Sequence, residues 1–370
     1  MKNKFQKLGA FAFAAMTIVG FASCGGDDNN GGGGMIAGGN GSSTQAGVLS
    51  PELPKRLSAI KSESSYGTNY YYNYLADGRI SNIVDQYSYY SKDSIIFNPA
   101  INQFVLRVYS GESIEQEFPM AIGFNPNGCI SNVAFTYTYK DEAELEINNA
   151  TVNFIYDANG RLLQSVGYST GTATYIEEGI QLTIAMQSNL NNVFNWQDGK
   201  LTAITTNTTA SASVAGFTET IIEERTVAFG YEQEYPNKYC QYAPFMNHYV
   251  DWLEVDGLYN VGLYGRGPAM LPSSYSVTAS ETHAGEKHEW TEGQGTFQYR
   301  LNADGSIAWM KDGSDAFNFY YDDLTAGAPA KARNFVMNPE ATQTDAPSVK
   351  KNKPLMVRLV EKIRANGMAK

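Results

Sequence analysis

The clearest pattern in the chain is a recurring run of aromatic residues two positions apart, followed by Asp-Gly or Asn-Gly and then by apolar residues. Tyr70, Tyr72 and Tyr74 precede Asp77-Gly78, and Ile80 and Ile83 follow. The phrase returns around Asn127-Gly128, with Phe124 before it and Ile130 and Val133 after, and around Asn159-Gly160, with Phe154 and Tyr156 before it and Leu162 after. Shorter echoes surround Asp198-Gly199 and Asp304-Gly305. Side chains alternate across a strand, so residues at i and i+2 share one face. Asn/Asp-Gly supplies the positive φ that a tight reversal needs. Each phrase therefore predicts a β-hairpin. A lone hairpin is marginal in water, so the units must pair side by side in a larger antiparallel sheet. Gly78, Gly128, Gly160 and Gly199 are spaced by 50, 32 and 39 residues, which predicts a meander with variable loops rather than a strict solenoid or propeller. Thr136 and Thr138, set between Phe135, Tyr137 and Tyr139, give the sheet one wetter face. The expected fold is all-β: an antiparallel hairpin meander forming a curved or barrel-like sheet over residues 52–328.

The Tyr-x-Tyr-x-x-x-Gly-Arg-Ile phrase resembles the YD repeats of Rhs-type surface proteins. A larger pattern adds Phe229-Gly-Tyr231, Tyr235-Pro-Asn237 and the Gly-rich run from Gly257 through Gly262, Gly265 and Gly267 to Leu271-Pro272-Ser273-Ser274. Over roughly 55–325 the chain resembles a Bacteroidales lipoprotein family of unknown function described as having a porin-like fold. In that family a Gly-rich segment ending in Leu-Pro leads into a late strand. The resemblance implies a curved or closed antiparallel β structure and carries no activity with it. A lipid-facing barrel needs apolar residues outward along nearly every strand. The segments Asn102–Tyr109 and Ile221–Tyr231 instead mix Arg, Gln and Glu with apolar residues, so a soluble body is expected.

The two ends of the chain read differently. Lys2, Lys4 and Lys7 precede an uncharged apolar run, Leu8–Ala22, too short for a comfortable transmembrane helix. Phe21-Ala22-Ser23-Cys24 resembles the lipobox of bacterial lipoproteins. That reading makes residues 1–23 a cleaved export signal and Cys24 a lipid-carrying first residue. The Gly/Asn-rich stretch 24–51 reads as a flexible tether. Asp27 and Asp28 soon after Cys24 resemble a surface-export signal of Bacteroidales-type lipoproteins, which points to an outward-facing outer-membrane location, the periplasmic face staying open. Residues 329–370 read as a linker and a basic tail. There Leu355, Leu359 and Ile363 fall at i, i+4 and i+8 with Arg358, Lys362 and Arg364 beside them, a short C-terminal amphipathic helix.

Composition narrows the function. Charged residues are 18% and aromatics 13%, with 25 Tyr and 35 Gly, a balance that suits strands and turns over long surface helices. The net charge of −11 is uneven. From Lys331 onward nine Lys/Arg face three Asp/Glu, leaving residues 1–330 at −17. So acidic a body disfavours nucleic acid as a partner. No catalytic motif, phosphate loop or dinucleotide fingerprint is present, and no cofactor is expected. His283 and His288, five apart with Gly285 between them, read as a solvated loop with rings on opposite strand faces, so no metal site is expected. Cys129 and Cys240 are compatible with two unpaired thiols or with a bridge across neighbouring loops.

Aromatic residues carry the remaining functional hint. Trp196, Trp252, Trp290, Trp309, Tyr72 and Tyr74 are candidates for stacking on sugar rings or engaging a protein, against the alternative of cross-strand packing. The leading expectation is a noncatalytic, membrane-anchored module that binds a glycan or an envelope protein. A structural or assembly subunit of a cell-envelope complex is the second reading, and a carbohydrate hydrolase the third.

Overall fold

The structure, a computed structural model, describes residues 55–64, 68–75, 78–88, 91–110, 113–140, 144–177, 180–214, 217–242, 258–313 and 315–323. The signal segment, Cys24, the tether, Trp252 and the tail with its expected helix lie outside the described residues. The strands are β1 (Lys55–Ser62), β2 (Asn69–Tyr74), β3 (Ile80–Ser88), β4 (Ser91–Asn98), β5 (Gln103–Ser110), β6 (Ser113–Phe124), β7 (Ile130–Lys140), β8 (Glu144–Tyr156) and β9 (Leu162–Glu177). They continue with β10 (Ile180–Gln197), β11 (Lys200–Val214), β12 (Phe217–Gly230), β13 (Tyr235–Pro236), β14 (Met270–Leu271), β15 (Ser274–His283), β16 (Glu286–Leu301), β17 (Ile307–Asp312) and β18 (Asp315–Asp323). All except β13 and β14 form one closed antiparallel barrel of 16 strands, each paired with its neighbour in the chain, and β1 closes on β18 through Leu57↔Tyr321 and Ile60↔Phe319. The expected meander is thus a closed up-and-down barrel.

The repeated phrases all reverse the chain at one end of the barrel. Four reversals share one construction. At Asn125–Cys129 the Gly128 N–H donates to Asn125 O at 2.9 Å and the Asn125 N–H to Cys129 O at 2.8 Å. The same pair of bonds joins Leu75, Gly78 and Arg79, then Asp157, Gly160 and Arg161, then Asn302, Gly305 and Ser306. In each, the glycine takes the left-handed position (φ 75–93°) and leaves a bulge. Of the five repeated phrases, Asp198-Gly199 alone makes the simpler two-residue turn, with φ of 50° and 77°.

The uneven spacing of the glycines follows from strand count and strand length. Gly128 to Gly160 and Gly160 to Gly199 each enclose two strands, and the latter pair is longer. Gly78 to Gly128 encloses four, because the reversal between β4 and β5 uses Asn102 at φ 47° where the others use glycine.

Between β12 and β15 the chain does not turn back directly. Residues 231–242 and 258–273 cross this same end and plug it. Their backbone docks on successive reversals: the Ile130 N–H donates to Leu263 O, the Arg266 N–H to Gly160 O and the Ala269 N–H to Gly199 O, each at 2.9 Å. Tyr239 Oη donates to Asp304 O at 3.0 Å, and Asn260 Nδ2 to Tyr72 Oη at 3.1 Å. Tyr242, Leu258, Tyr259, Val261, Leu263 and Tyr264 are buried and join one apolar cluster with inward residues from around the barrel. Each such side chain contributes about 1.5–3 kcal/mol of burial. The Gly-rich segment of the sequence is this plug, and it leads into β15, the late strand the resemblance implied.

The outer wall is polar. Outward positions of β11 read Ala203, Thr205, Asn207, Thr209, Ser211 and Ser213, and those of β10 include Thr183, Gln187, Asn189 and Asn191. Cross-strand pairs such as Thr136–Asn149, Gln164–Asn191 and Ser211–Thr220 bond at 2.8 Å. Exposed large apolar residues, such as Ile155 and Ile222, are scattered. Such a wall suits water rather than lipid tails.

Gly265 (φ 86°) is pressed against the Gly160 carbonyl, 2.2 Å from where a Cβ would stand, whereas Gly262 (φ 76°) faces open space. Gly262→Ala should cost only the left-handed conformation, about 1–2 kcal/mol. Gly265→Ala adds a backbone clash and should cost upwards of ~3 kcal/mol. Urea unfolding of the two variants checks this, and equal losses would show that the plug does not bear on the Gly160 turn.

Candidate functional site

Opposite the plug, the lumen is lined differently. Strand alternation turns every second residue inward. Near the plug these are large and apolar, as with Val227 and Phe229 on β12 and Phe297 and Tyr299 on β16. Towards the other end, here called the mouth, β12 turns in Glu219, Glu223 and Arg225, in register with inward positions of β15 that include Ala279, Glu281 and His283. A bulge leaves Glu292 unpaired on β16, between Thr291 (opposite Thr278) and Gly293 (opposite Val277).

An ion pair and a histidine–carboxylate hydrogen bond tie this wall together. Arg225 Nε donates to Glu292 Oε2 at 2.7 Å, and His283 Nε2 lies 2.8 Å from Glu219 Oε2. Both pairs are partly solvated, so each contributes under about 1 kcal/mol to stability. Their effect is to hold charged groups at fixed places in the lumen. Asp85 on β3 and Asp93 on β4 also face inward, directly opposite one another and nearly buried.

The wall from β8 to β11 is uncharged and made of small residues. Ser165, Ser169, Ser188 and Asn192 point inward and are buried, with Gly167, Ala210 and Ala212 among them. Thr206 Oγ1 donates to Asn192 Oδ1 at 2.5 Å. Ser165 Oγ and Asn192 Nδ2 are buried without a hydrogen-bond partner among the described residues. Buried polar atoms are ordinarily satisfied, so these two call for a polar companion in the lumen.

The histidine expectation is corrected. Ala284 (φ 51°) and Gly285 (φ 84°) form a two-residue turn rather than a loop, pairing His283 with Glu286 and Glu281 with His288. The reversal sets both histidines on the same inward face, where strand counting had set them on opposite faces. Among the described residues no three His, Cys, Asp or Glu side chains gather as metal ligands.

The aromatic candidates do not form one surface. Tyr72 and Tyr74 are core residues, and Tyr74 Oη donates to Leu57 O at 2.8 Å. Trp196 packs against the core near the plug, its Nε1 donating to Leu162 O at 2.8 Å with Arg161 over its ring. Trp309 stands on the outer wall, where its Nε1 donates to Glu63 and the Arg300 guanidinium lies 4.3 Å from the ring centroid. Trp290 alone among the described tryptophans faces the mouth, in register with Ala279 on β15. Cys129 and Cys240 are free thiols. Burial pushes the Cys129 thiol up to about 11, and Cys240 Sγ accepts from Arg266 Nη2 at 3.2 Å. Sequence reasoning missed Glu219, Arg225 and Glu292, because strand parity and a bulge decide which charges turn inward.

Asp312, at the tip of β17 and paired with Asp315, is a further inward carboxylate. Burial pushes its pKa up to about 6 from 3.8, the hydrogen bond from Tyr275 lowers it and the Asp315 charge raises it. The group favours the fold fully below pH 3.8, and that contribution is lost as pH rises through 6. Asp312→Asn cannot ionise, so it should raise the Tm at pH 7.5 and give little gain at pH 4. Thermal unfolding at both values is the measurement, and an equal shift at each would show that Asp312 carries no such strain.

No family model and no curated protein matches the chain. Among solved structures it is similar to a porin-like protein from Bacteroides vulgatus, at 12% identity and a TM-score of 0.39, over 73% of this chain and 100% of that one. A porin-like protein from Bacteroides uniformis is similar at 12% identity and a TM-score of 0.43, over 74% of this chain and 99% of that one.

Proposed function

We propose that the chain is a noncatalytic envelope barrel that binds a glycan segment in its mouth and is held at the outer membrane by lipid on Cys24. The observation that carries the reading is the polar lining of the lumen. Inward hydroxyl and amide groups on β9 and β10, two of them buried without a partner among the described residues, share the lumen with the indole of Trp290. A sugar offers a matching combination, with hydroxyls for the polar wall and an apolar ring face for the indole. Glu219 and Glu292 are already engaged by His283 and Arg225, which suits holding a ligand rather than attacking it.

The anchoring half of the proposal fits the course of the chain. Lys55 opens β1 at the plugged end, so the chain that leads back to Cys24 joins the barrel at the end opposite the mouth.

A glycan array probed with residues 44–370 tests the binding. The expected result is a small set of positive glycans. Trp290→Ala should weaken them about tenfold, the loss of one aromatic contact, at unchanged Tm. Trp309→Ala, on the outer wall, should leave them alone. A blank array, or a Trp290→Ala protein that binds as the parent does, sinks the reading.

A further inference from the structure

We infer that the glycan proposed for the mouth is an extended oligosaccharide, held in a notch of the barrel wall between two aromatic platforms, Trp290 and Tyr275. The inference rests on the glycan reading and supplies the second half of that site.

The notch follows from strand length. β15 pairs with β16 along its whole course, from Ser274↔Thr296 to His283↔Glu286. β17 pairs with β16 only from Phe297 to Leu301, and β18 turns back beside it at Asp312↔Asp315. Among the described residues, β16 from Glu286 to Thr296 therefore has a strand on one side only. The wall steps down there, and the lumen opens sideways above Asp312.

Two glycines shape the inner surface at the step. Gly295 stands in register with Tyr275, and a Cβ there would lie 2.6 Å from the Tyr275 ring. Without one, the ring crosses β16, and its hydroxyl donates to the Asp312 carboxylate on β17. The ring stacks on Phe297, with centroids 4.9 Å apart and planes at 27°. Phe297 is 1% exposed whereas Tyr275 is only half-buried, so Tyr275 is the last layer of the apolar cluster towards the mouth. Gly293 stands one layer beyond it, opposite Val277. A Cβ there meets no described atom within 4 Å. Its neighbour Glu292 is turned to Arg225, and the space over Gly293 stays clear.

The chemistry of the occupant follows from this lining. Trp290 is in register with Ala279, four residues from Tyr275 on β15, so the two platforms stand roughly 13 Å apart along the wall. One sugar ring does not span that distance. An indole and a phenol with bare backbone between them match the apolar faces of a sugar chain laid along β16. A carboxylate offers about four acceptor sites, and Asp312 takes one hydrogen bond from Tyr275, which leaves acceptors for sugar hydroxyls at that end. A peptide strand added to the open side of β16 fits less well, because the bulge at Glu292 breaks the ladder it would have to follow.

The test uses the full chain on an array that carries oligosaccharides beside their component monosaccharides, with thermal unfolding of each variant. Gly293 lies outside the left-handed region, so Gly293→Leu fills the notch without backbone strain. Tyr275→Leu keeps an apolar cover on Phe297 and removes the ring face. Oligosaccharides should bind and their monosaccharides should not. Gly293→Leu and Tyr275→Leu should each weaken binding about tenfold or more at unchanged Tm, and Gly293→Ala about threefold or less. If one leucine variant loses Tm, the other decides. Binding that survives a leucine variant of parental Tm while Trp290→Ala loses it would overturn the notch and leave the mouth as the glycan site. Monosaccharides bound as tightly as their oligosaccharides would also overturn the notch. A blank array would overturn both readings.

Discussion

Closing sixteen strands into one sheet removes every edge, but it also opens a lumen wider than the wall's own side chains can fill. The rest of the molecule is arranged around that constraint. At one end the chain fills the space with itself. Residues 231–242 and 258–273 bring Tyr242, Tyr259, Val261, Leu263 and Tyr264 into the same cluster as Tyr72, Phe154 and Phe297. Burial pushes Tyr242, Tyr259 and Tyr264 well above the ordinary phenol range, so their hydroxyls stay protonated. The plug holds by backbone bonds to the hairpin reversals, and this dictates their chemistry. Gly160 must accept from Arg266 while Gly265 lies against it, which leaves no room for a Cβ at position 265.

At the other end the same width is left to polar groups. Charges in an apolar core would be expensive, but in a solvated mouth they are affordable when paired. Arg225 with Glu292 and His283 with Glu219 meet that condition, and the bulge at Glu292 brings the first pair about. Uneven strand length adds to the contrast. The strands from β8 to β12 run 13 to 18 residues, whereas β17 has 6 and β1 has 8, so one side of the mouth stands higher than the other.

Much of the barrel was legible because each hairpin is local. Asp-Gly and Asn-Gly mark reversals through their own backbone preferences, and aromatic alternation marks the strands beside them. Legibility failed where distant partners decide. Asn102 takes a left-handed turn position without a glycine, which hid one repeat inside the 50-residue spacing. Ala284-Gly285 makes a two-residue turn without Asn or Asp, which concealed that His283 and His288 share a face. The close approaches of Gly265 and Gly267 could not be read from their Gly-rich run, because the carbonyls they meet, those of Gly160 and Cys240, are far away or on another part of the plug. The tryptophans could not be sorted from sequence, since register shifts at Asn195/Trp196 and Arg300/Leu301 reset which side of the wall a residue takes.

The polar outer wall bears on the reading of Cys24. A barrel that spans a bilayer carries its membrane affinity on its outward strand positions. Here many of those positions hold Thr, Asn, Gln and Ser in hydrogen-bonded cross-strand pairs, and apolar members such as Ile96 opposite Val105 form no continuous band. Under the proposed anchoring, affinity for lipid tails would come from outside the strands, from acyl chains in proportion to their buried methylenes. The closed sheet and the proposed anchor are thus complementary. Because the outward positions are polar, the lumen alone carries the contrast between an apolar, plugged end and a charged mouth.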